Sequence, residues 1–264
     1  MLDFESPIRV MTASSIYQIP SVYDRIVPPG PCMAFYCGKR GKLAALSSSW
    51  RVALVASLYP TGRRSRSVCL DCSAQMLRAA RDKARALSVK PMFVLTDMTS
   101  FHLEREFALI IASCNSLARL TSDEAISACL KRVAKHLAPR GLFAFDLANP
   151  DLFELGAAIS QRGVTKSRCQ GREIFAYDPV TQIQVVRFSD ETGGPLKQFW
   201  PICLRVILAQ EAVPRLWAAG LSFKRYGDFD GKPLCSASSN QVYIATGTAS
   251  GTRMQDTGTT GAVT

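Results

Sequence analysis

The sequence predicts an α/β fold: a doubly wound, mostly parallel sheet with an antiparallel last strand, carrying a β-hairpin insert after the fifth strand. Three observations carry that expectation. Strand and helix signals alternate cleanly between residues 67 and 150. Apolar runs in this stretch end on acids or small polar residues, as strands buried on both faces do where they reach the edge of a sheet. Beyond Pro150 the pattern changes to paired β signals around an Asp-Pro turn.

The elements follow in order. "SVCLD" (67–71) is a short buried strand ending on an acid. Ser73 can cap the next helix, in which Leu77, Ala80, Ala84 and Leu87 form one apolar face. "PMFVLTD" (91–97) is another strand ending on an acid, and "FALIIAS" (107–113) is apolar throughout. "TSDE" (121–124) reads as a capping box in which Thr121 and Glu124 satisfy each other's backbone donors. The helix it opens carries Ile126, Leu130, Val133 and Leu137 on one face, and "GLFAFDL" (141–147) is the next strand. "REIFAYDPVTQIQVVRF" (172–188) is an antiparallel hairpin. Residues 211–220 form a helix ending at Gly220, before a final β pair in "LSFKRYGDFDG" and "NQVYIAT". The expected organisation is a single domain over 1–246, with the insert at about 150–210 and a disordered Gly/Thr-rich tail at 247–264.

Composition bounds the function classes. With 47% hydrophobic and 20% charged residues in 264, the chain is globular. It has no apolar run of the roughly 18–20 residues that a membrane span needs. "MLDFESPIRVMTASS" places acids before any apolar stretch, so no secretory signal is expected and the location expected is cytoplasmic. Nine scattered cysteines point to reduced thiols. Cys69 and Cys72 form a CxxC with no second ligand pair, and His102 and His136 are the only histidines, so no metal site is expected. The net charge of +11 raises nucleic acid as a partner, but eight basic residues and no acid lie between Arg25 and Leu70, and the rest of the chain is close to balanced.

Parallel strands align their C-terminal ends, and ligands of open α/β sheets bind at that edge. Asp71, Cys72, Asp97, Met98 and the loop "SCNSL" (113–117) should gather there. An acid after one strand can take both hydroxyls of a ribose. An acid one strand further along can accept an adenine amino group, with Met98 against the ring. Taken singly, either acid reads equally well as a helix cap.

"LDCSAQMLRAAR", "LTDMTSFHL" and "FALIIASCNSLARLTSDEAISACLKRVAKHLAPRGLFAFDLANP" resemble motifs of the class I S-adenosylmethionine-dependent methyltransferases. The likeness runs from about residue 67 to 150 and more loosely to 246. It implies a Rossmann-like fold, S-adenosylmethionine as cofactor, Asp71 on the ribose and Asp97 on the adenine edge. It also implies Asn115 near the methyl-transfer site, and Tyr23 and Asp24 in an N-terminal segment that closes over the cofactor. Such enzymes act mainly by holding the acceptor in line with the sulfonium methyl. The sequence nominates no catalytic base.

One departure is large and local. The family's first motif, a strand ending in an acid and a glycine-rich turn, should fall at residues 45–56, where the chain has "ALSSSWRVALVA". Without those glycines the backbone cannot approach the methionine part of the cofactor. The genetic code suggests a cause. Regrouping the bases of "LAALSSSWRVALVASLYP" (43–60) by joining the third base of each codon to the next two allows "GGPVLELACGTGRVALP" under synonymous codon choices. Trp50 has one codon, and it fits. One insertion or deletion before about residue 43 and a compensating one before residue 68 would scramble this segment and leave it free of acids.

The leading reading is therefore methyl transfer to a small-molecule acceptor, weakened by the missing glycine turn. A non-catalytic protein that keeps the fold is the second. RNA binding or RNA methylation through the basic segment 39–66 is the third, with only Trp50 and Tyr59 there for stacking. An NAD-dependent oxidoreductase would not call for an acid and a methionine after the third strand. Phe153, Tyr177 and Phe199 could line an acceptor wall, although plain core is the simpler role for each.

Overall fold

The computed structural model describes residues 16–26, 30–32, 35–36, 54–57, 67–160, 164–168, 171–189 and 201–248. The chain divides into two compact units, one comprising Met1–Pro28 with Pro150–Val206 and the other Pro29–Asn149 with Ile207–Thr264.

The larger unit is built on a seven-stranded sheet. Its strands are β1 (Leu54–Ser57), β2 (Ser67–Asp71), β3 (Met92–Leu95), β4 (Phe107–Ala112), β5 (Leu137–Ala148), β10 (Leu221–Gly227) and β11 (Asn240–Gly247). Their order across the sheet is β10-β11-β5-β4-β1-β2-β3. β2 pairs in parallel with β3, and β4 with β5. β1 lies antiparallel to both β2 and β4, which makes those two point the same way. β11 opposes both β5 and β10. So β2, β3, β4, β5 and β10 share one direction, and the last strand runs against them as expected. β1 is the exception. It lies inside the sheet, between β4 and β2, but is reversed.

The helices explain themselves locally. Ser73 caps α2 (Ala74–Ala86) by accepting the Met76 N–H at 3.2 Å. Leu77, Ala80 and Ala84 on that helix bury against Cys69 of β2. The next helix, α3 (Asp123–His136), starts one residue later than the expected capping box. Its cap is Ser122, whose hydroxyl accepts the Ala125 N–H, and not Thr121. Glu124 becomes the second helical residue, where it faces the positive helix end rather than reaching back to the cap. Ile126, Cys129, Leu130 and Val133 bury from α3 into the main core with Phe143, Phe145 and Tyr243. Helix α5 (Ala209–Ala218) stops where Gly220 takes φ +73°.

Helix α3 runs into β5 without a loop, and the strand is pinned where Arg140 (φ 60°) meets Gly141. A Cβ on Gly141 would lie 2.7 Å from the Ala138 carbonyl and 2.8 Å from that of Phe107. Both neighbours are backbone and cannot swing away. Gly141→Ala should cost about 3 kcal/mol by overpacking, readable as a lowered midpoint in a urea melt; an unchanged midpoint would show that β5 shifts freely.

In the smaller unit a 3-10 turn (Ile16–Gln18) precedes α1 (Pro20–Ile26). Helix α4 (Leu152–Ser160) belongs to the same unit as a second sheet. That sheet is antiparallel, of β6 (Val164–Arg168), β7 (Gly171–Asp178), β8 (Ile183–Ser189) and β9 (Ile202–Arg205), in that order. The expected hairpin is β7–β8, and Asp178 closes its turn by accepting the Val180 N–H and the Thr181 hydroxyl. Leu155, Ala158 and Val186 form a small core with Tyr177, Leu204 and Val206 packed against it. Tyr177 therefore takes the core role expected of it. Phe153 does not: its side chain is 93% exposed. Phe199 and the tail beyond Thr248 lie outside the described residues.

Candidate functional site

The site begins where β2, β3, β4 and β5 end together. Asp71 is buried, and its Oδ1 accepts the Ser73 N–H at 2.6 Å, in the turn that leads into the cap of α2. The Asp71 carbonyl accepts the Thr96 N–H, which ties the end of β2 to the end of β3. Asp97 is exposed, and its Oδ1 accepts both the backbone N–H and the hydroxyl of Thr99, at 2.7 and 2.6 Å. Each acid thus spends one oxygen on its own turn. The second oxygen of Asp97 has no hydrogen-bond partner among the described residues.

Electrostatics show that these groups converge. The Cys72 thiol is pushed up by burial and then by the charges of Asp71 and Asp97, with Arg119 opposing. Burial, with a further push from Asp97, takes the Cys129 thiol up to about 12. Cys69 sits fully buried in β2, so the CxxC is split between a core thiol and a residue at the sheet edge. Met98 is half-buried beside Asp97, against the main core. Arg119, at the end of the 3-10 turn Ser116–Arg119, was not singled out from the sequence. Its only signal was its place four residues after Asn115.

Past β4 the backbone makes an unusual turn. Cys114 and Asn115 both take positive φ, at 58° and 57°. The Asn115 Oδ1 accepts the Ala148 N–H at 3.1 Å from the end of β5. Beneath the turn lies Asp146, a second residue not singled out from the sequence although it ends an apolar run as Asp71 does. Tyr23 and Asp24 fall on α1 in the smaller unit, where the Tyr23 ring lies 5.2 Å from that of Tyr17.

His136 serves structure. His136 is buried at the end of α3, with Nδ1 donating to the Arg132 carbonyl at 2.7 Å and Nε2 accepting the Leu103 N–H at 3.0 Å. Both ring nitrogens are spent, so the ring has no lone pair for a substrate proton. His136→Ala should cost about 2 kcal/mol in thermal stability by stranding a buried N–H. A melt unchanged from the parent would show that water replaces the ring.

A methyltransferase-domain family profile matches residues 51–141. The part of the chain from Arg51 to Gly141 is thus similar to a methyltransferase domain. Its fold is similar to that of the CcbJ methyltransferase from Streptomyces caelestis, with 23% identity, 69% of this chain and 74% of that chain covered, and a TM-score of 0.57. It is also similar to an S-adenosylmethionine-dependent methyltransferase from Clostridium acetobutylicum ATCC 824, with 15% identity, coverage of 89% and 99%, and a TM-score of 0.65. No curated protein sequence matches the chain.

S-adenosylmethionine is the cofactor of such a methyltransferase domain, and the described residues fit one half of it. Asp71 and Asp97, on adjacent strand ends, suit ribose hydroxyls and an adenine amino group. The described residues include no glycine turn for the methionine half. The reversed β1 puts Leu54 opposite Leu70, next to Asp71, while its last residue, Ser57, pairs with Ser67 at the far end of β2. A strand running the other way would deliver the turn that follows it to the cofactor edge. Among the described helices none is long and apolar enough to cross a membrane.

Proposed function

We propose that this domain transfers a methyl group from S-adenosylmethionine to a small-molecule acceptor, and that the segment between Gly38 and Ser67 weakens cofactor binding in this chain. In this reading Asp71 holds the ribose, Asp97 with Met98 holds the adenine, Cys72 lies beside them and Asn115 borders the methyl-transfer site. The observation that carries it is the convergence of Asp71, Cys72 and Asp97 at one strand edge, where burial first and then the two carboxylates raise the Cys72 thiol. Tyr23 and Asp24 remain assigned to a segment that covers the cofactor. Catalysis would come from alignment of the acceptor with the sulfonium methyl, and the sequence nominates no general base.

A second reading, a non-catalytic protein with the same fold, is favoured by β1. An interior strand inserted backwards is what a segment translated out of frame would produce, since its apolar residues can still pair while its turn is lost. Under synonymous codon choices the alternative frame can spell a strand, an acid and a glycine turn at the same place. The nucleotide sequence across residues 38–70 tests this directly; codons that cannot spell the glycine turn would end the proposal. Calorimetric titration with S-adenosylmethionine of this chain and of a frame-restored one then separates the two readings. Heat from the restored chain supports the enzyme, and silence from both supports the scaffold. The basic segment 39–66 keeps RNA as a lesser alternative, testable by a salt-dependent mobility shift.

A further inference from the structure

We propose that Asp146 is the positioning residue of this site: its buried carboxylate clamps the strained Cys114–Asn115 turn and so fixes the side chain of Asn115 at the strand edge. The proposal rests on the reading above only in taking Asn115 to face the acceptor. Asp146 is 3% exposed, one residue past the last β4 partner on β5. Its Oδ1 accepts the Cys114 N–H at 3.0 Å and the Tyr36 hydroxyl at 2.7 Å. Its Oδ2 accepts the Asn115 N–H at 2.9 Å. Two consecutive residues with Cβ atoms at positive φ are disfavoured. What holds them is a concavity of two backbone N–H groups closed on one anion, the arrangement that binds anions elsewhere in proteins. Here the anion is internal.

The consequence falls on Asn115. Its backbone N–H is held by Asp146 and its Oδ1 by the Ala148 N–H. Because Ala148 donates, the oxygen of the amide must face β5, which fixes which end is nitrogen. Nδ2 is left with no hydrogen-bond partner among the described residues. It is therefore a presented donor, suited to an acceptor molecule that carries a carboxylate, carbonyl or hydroxyl oxygen beside the atom to be methylated. Asp146 never touches that molecule; it acts through Asn115.

Asp146→Asn tests this in the full chain. The new amide can keep its oxygen on Tyr36 and Cys114, but then turns NH2 toward the Asn115 N–H, donor against donor. Amide hydrogen exchange at Asn115, read by NMR, should accelerate about tenfold or more, the loss of one charge-assisted hydrogen bond. Tyr36→Phe is the control, because it removes another bond to the same carboxylate without touching the turn. It should leave Asn115 exchange within about twofold of the parent even where it lowers the melting temperature. Unchanged exchange in Asp146→Asn, or equal acceleration in both variants, would overturn the proposal. Neither outcome depends on cofactor binding, so failure here is distinct from failure of the methyl-transfer reading.

Discussion

S-adenosylmethionine and adenosine should bind this chain with affinities within about tenfold of each other, because the methionine half of the cofactor finds no glycine turn among the described residues. In the frame-restored chain S-adenosylmethionine should bind at least about 100-fold more tightly than adenosine, roughly 2.7 kcal/mol of added contact. The contrast follows from the two halves of the site. Asp71 ends β2 and Asp97 follows the end of β3, two strands that pair in the expected parallel register from Val68 opposite Met92 to Asp71 opposite Leu95. The glycine turn would have to follow β1, and β1 runs the wrong way. Titration calorimetry with both ligands on both chains reads the result. A strong preference for S-adenosylmethionine in the chain as it stands would show that the methionine half is recognised without the glycine turn. In the restored chain, Asp71→Asn should then weaken both ligands alike, because it touches only the ribose.

Asp146→Ala should be the most destabilising single substitution in the larger unit. It removes the buried acceptor of the Tyr36 hydroxyl and of two half-buried backbone N–H groups. At about 1–3 kcal/mol for each unsatisfied buried group, partly relieved by relaxation, the loss should be about 3–5 kcal/mol. That corresponds to a fall of roughly 10 °C in melting temperature. The parent also carries a pH signature. Burial holds the Asp146 carboxyl above its ordinary value, against the lowering effect of its three hydrogen bonds. The folded chain therefore keeps that proton to higher pH than the unfolded chain does. Stability from this group is greatest below the ordinary carboxylate range, falls as pH rises through the raised value, and then levels. Asp146→Asn should flatten that slope in a series of melts across pH; a slope unchanged in the variant would assign it to other carboxylates. Burial and the neighbouring Asp146 charge raise Tyr36 well above its ordinary value, so its hydroxyl stays a donor throughout this range.

Much of the fold was legible in the sequence because the signals were local. The apolar runs at 67–71 and 107–113 are strands β2 and β4, since continuous apolar character has no use except between two covered faces. Ser73 caps its helix where the pattern places it, and Gly220 ends another. The box at Thr121 failed by one residue, because Thr121 and Ser122 are chemically equivalent caps and only the course of the chain after Leu120 chooses between them. The hairpin at 172–188 was visible from its Asp-Pro turn. Its partners β6 and β9 were not, because neither carries a turn signal of its own.

The sequence by itself determined the acids at the strand ends, the helices that follow them and the break upstream of Ser67, because each rests on residue type and short spacing. Only the tertiary structure decided the direction of β1 and the role of Asp146. Strand direction depends on which neighbours are free to pair, and a run such as Leu54–Ser57 pairs equally well either way. Asp146 becomes an anchor because β5 carries it beneath a turn more than thirty residues earlier in the chain, where burial makes an unpaired N–H costly and a carboxylate the one group that can satisfy two.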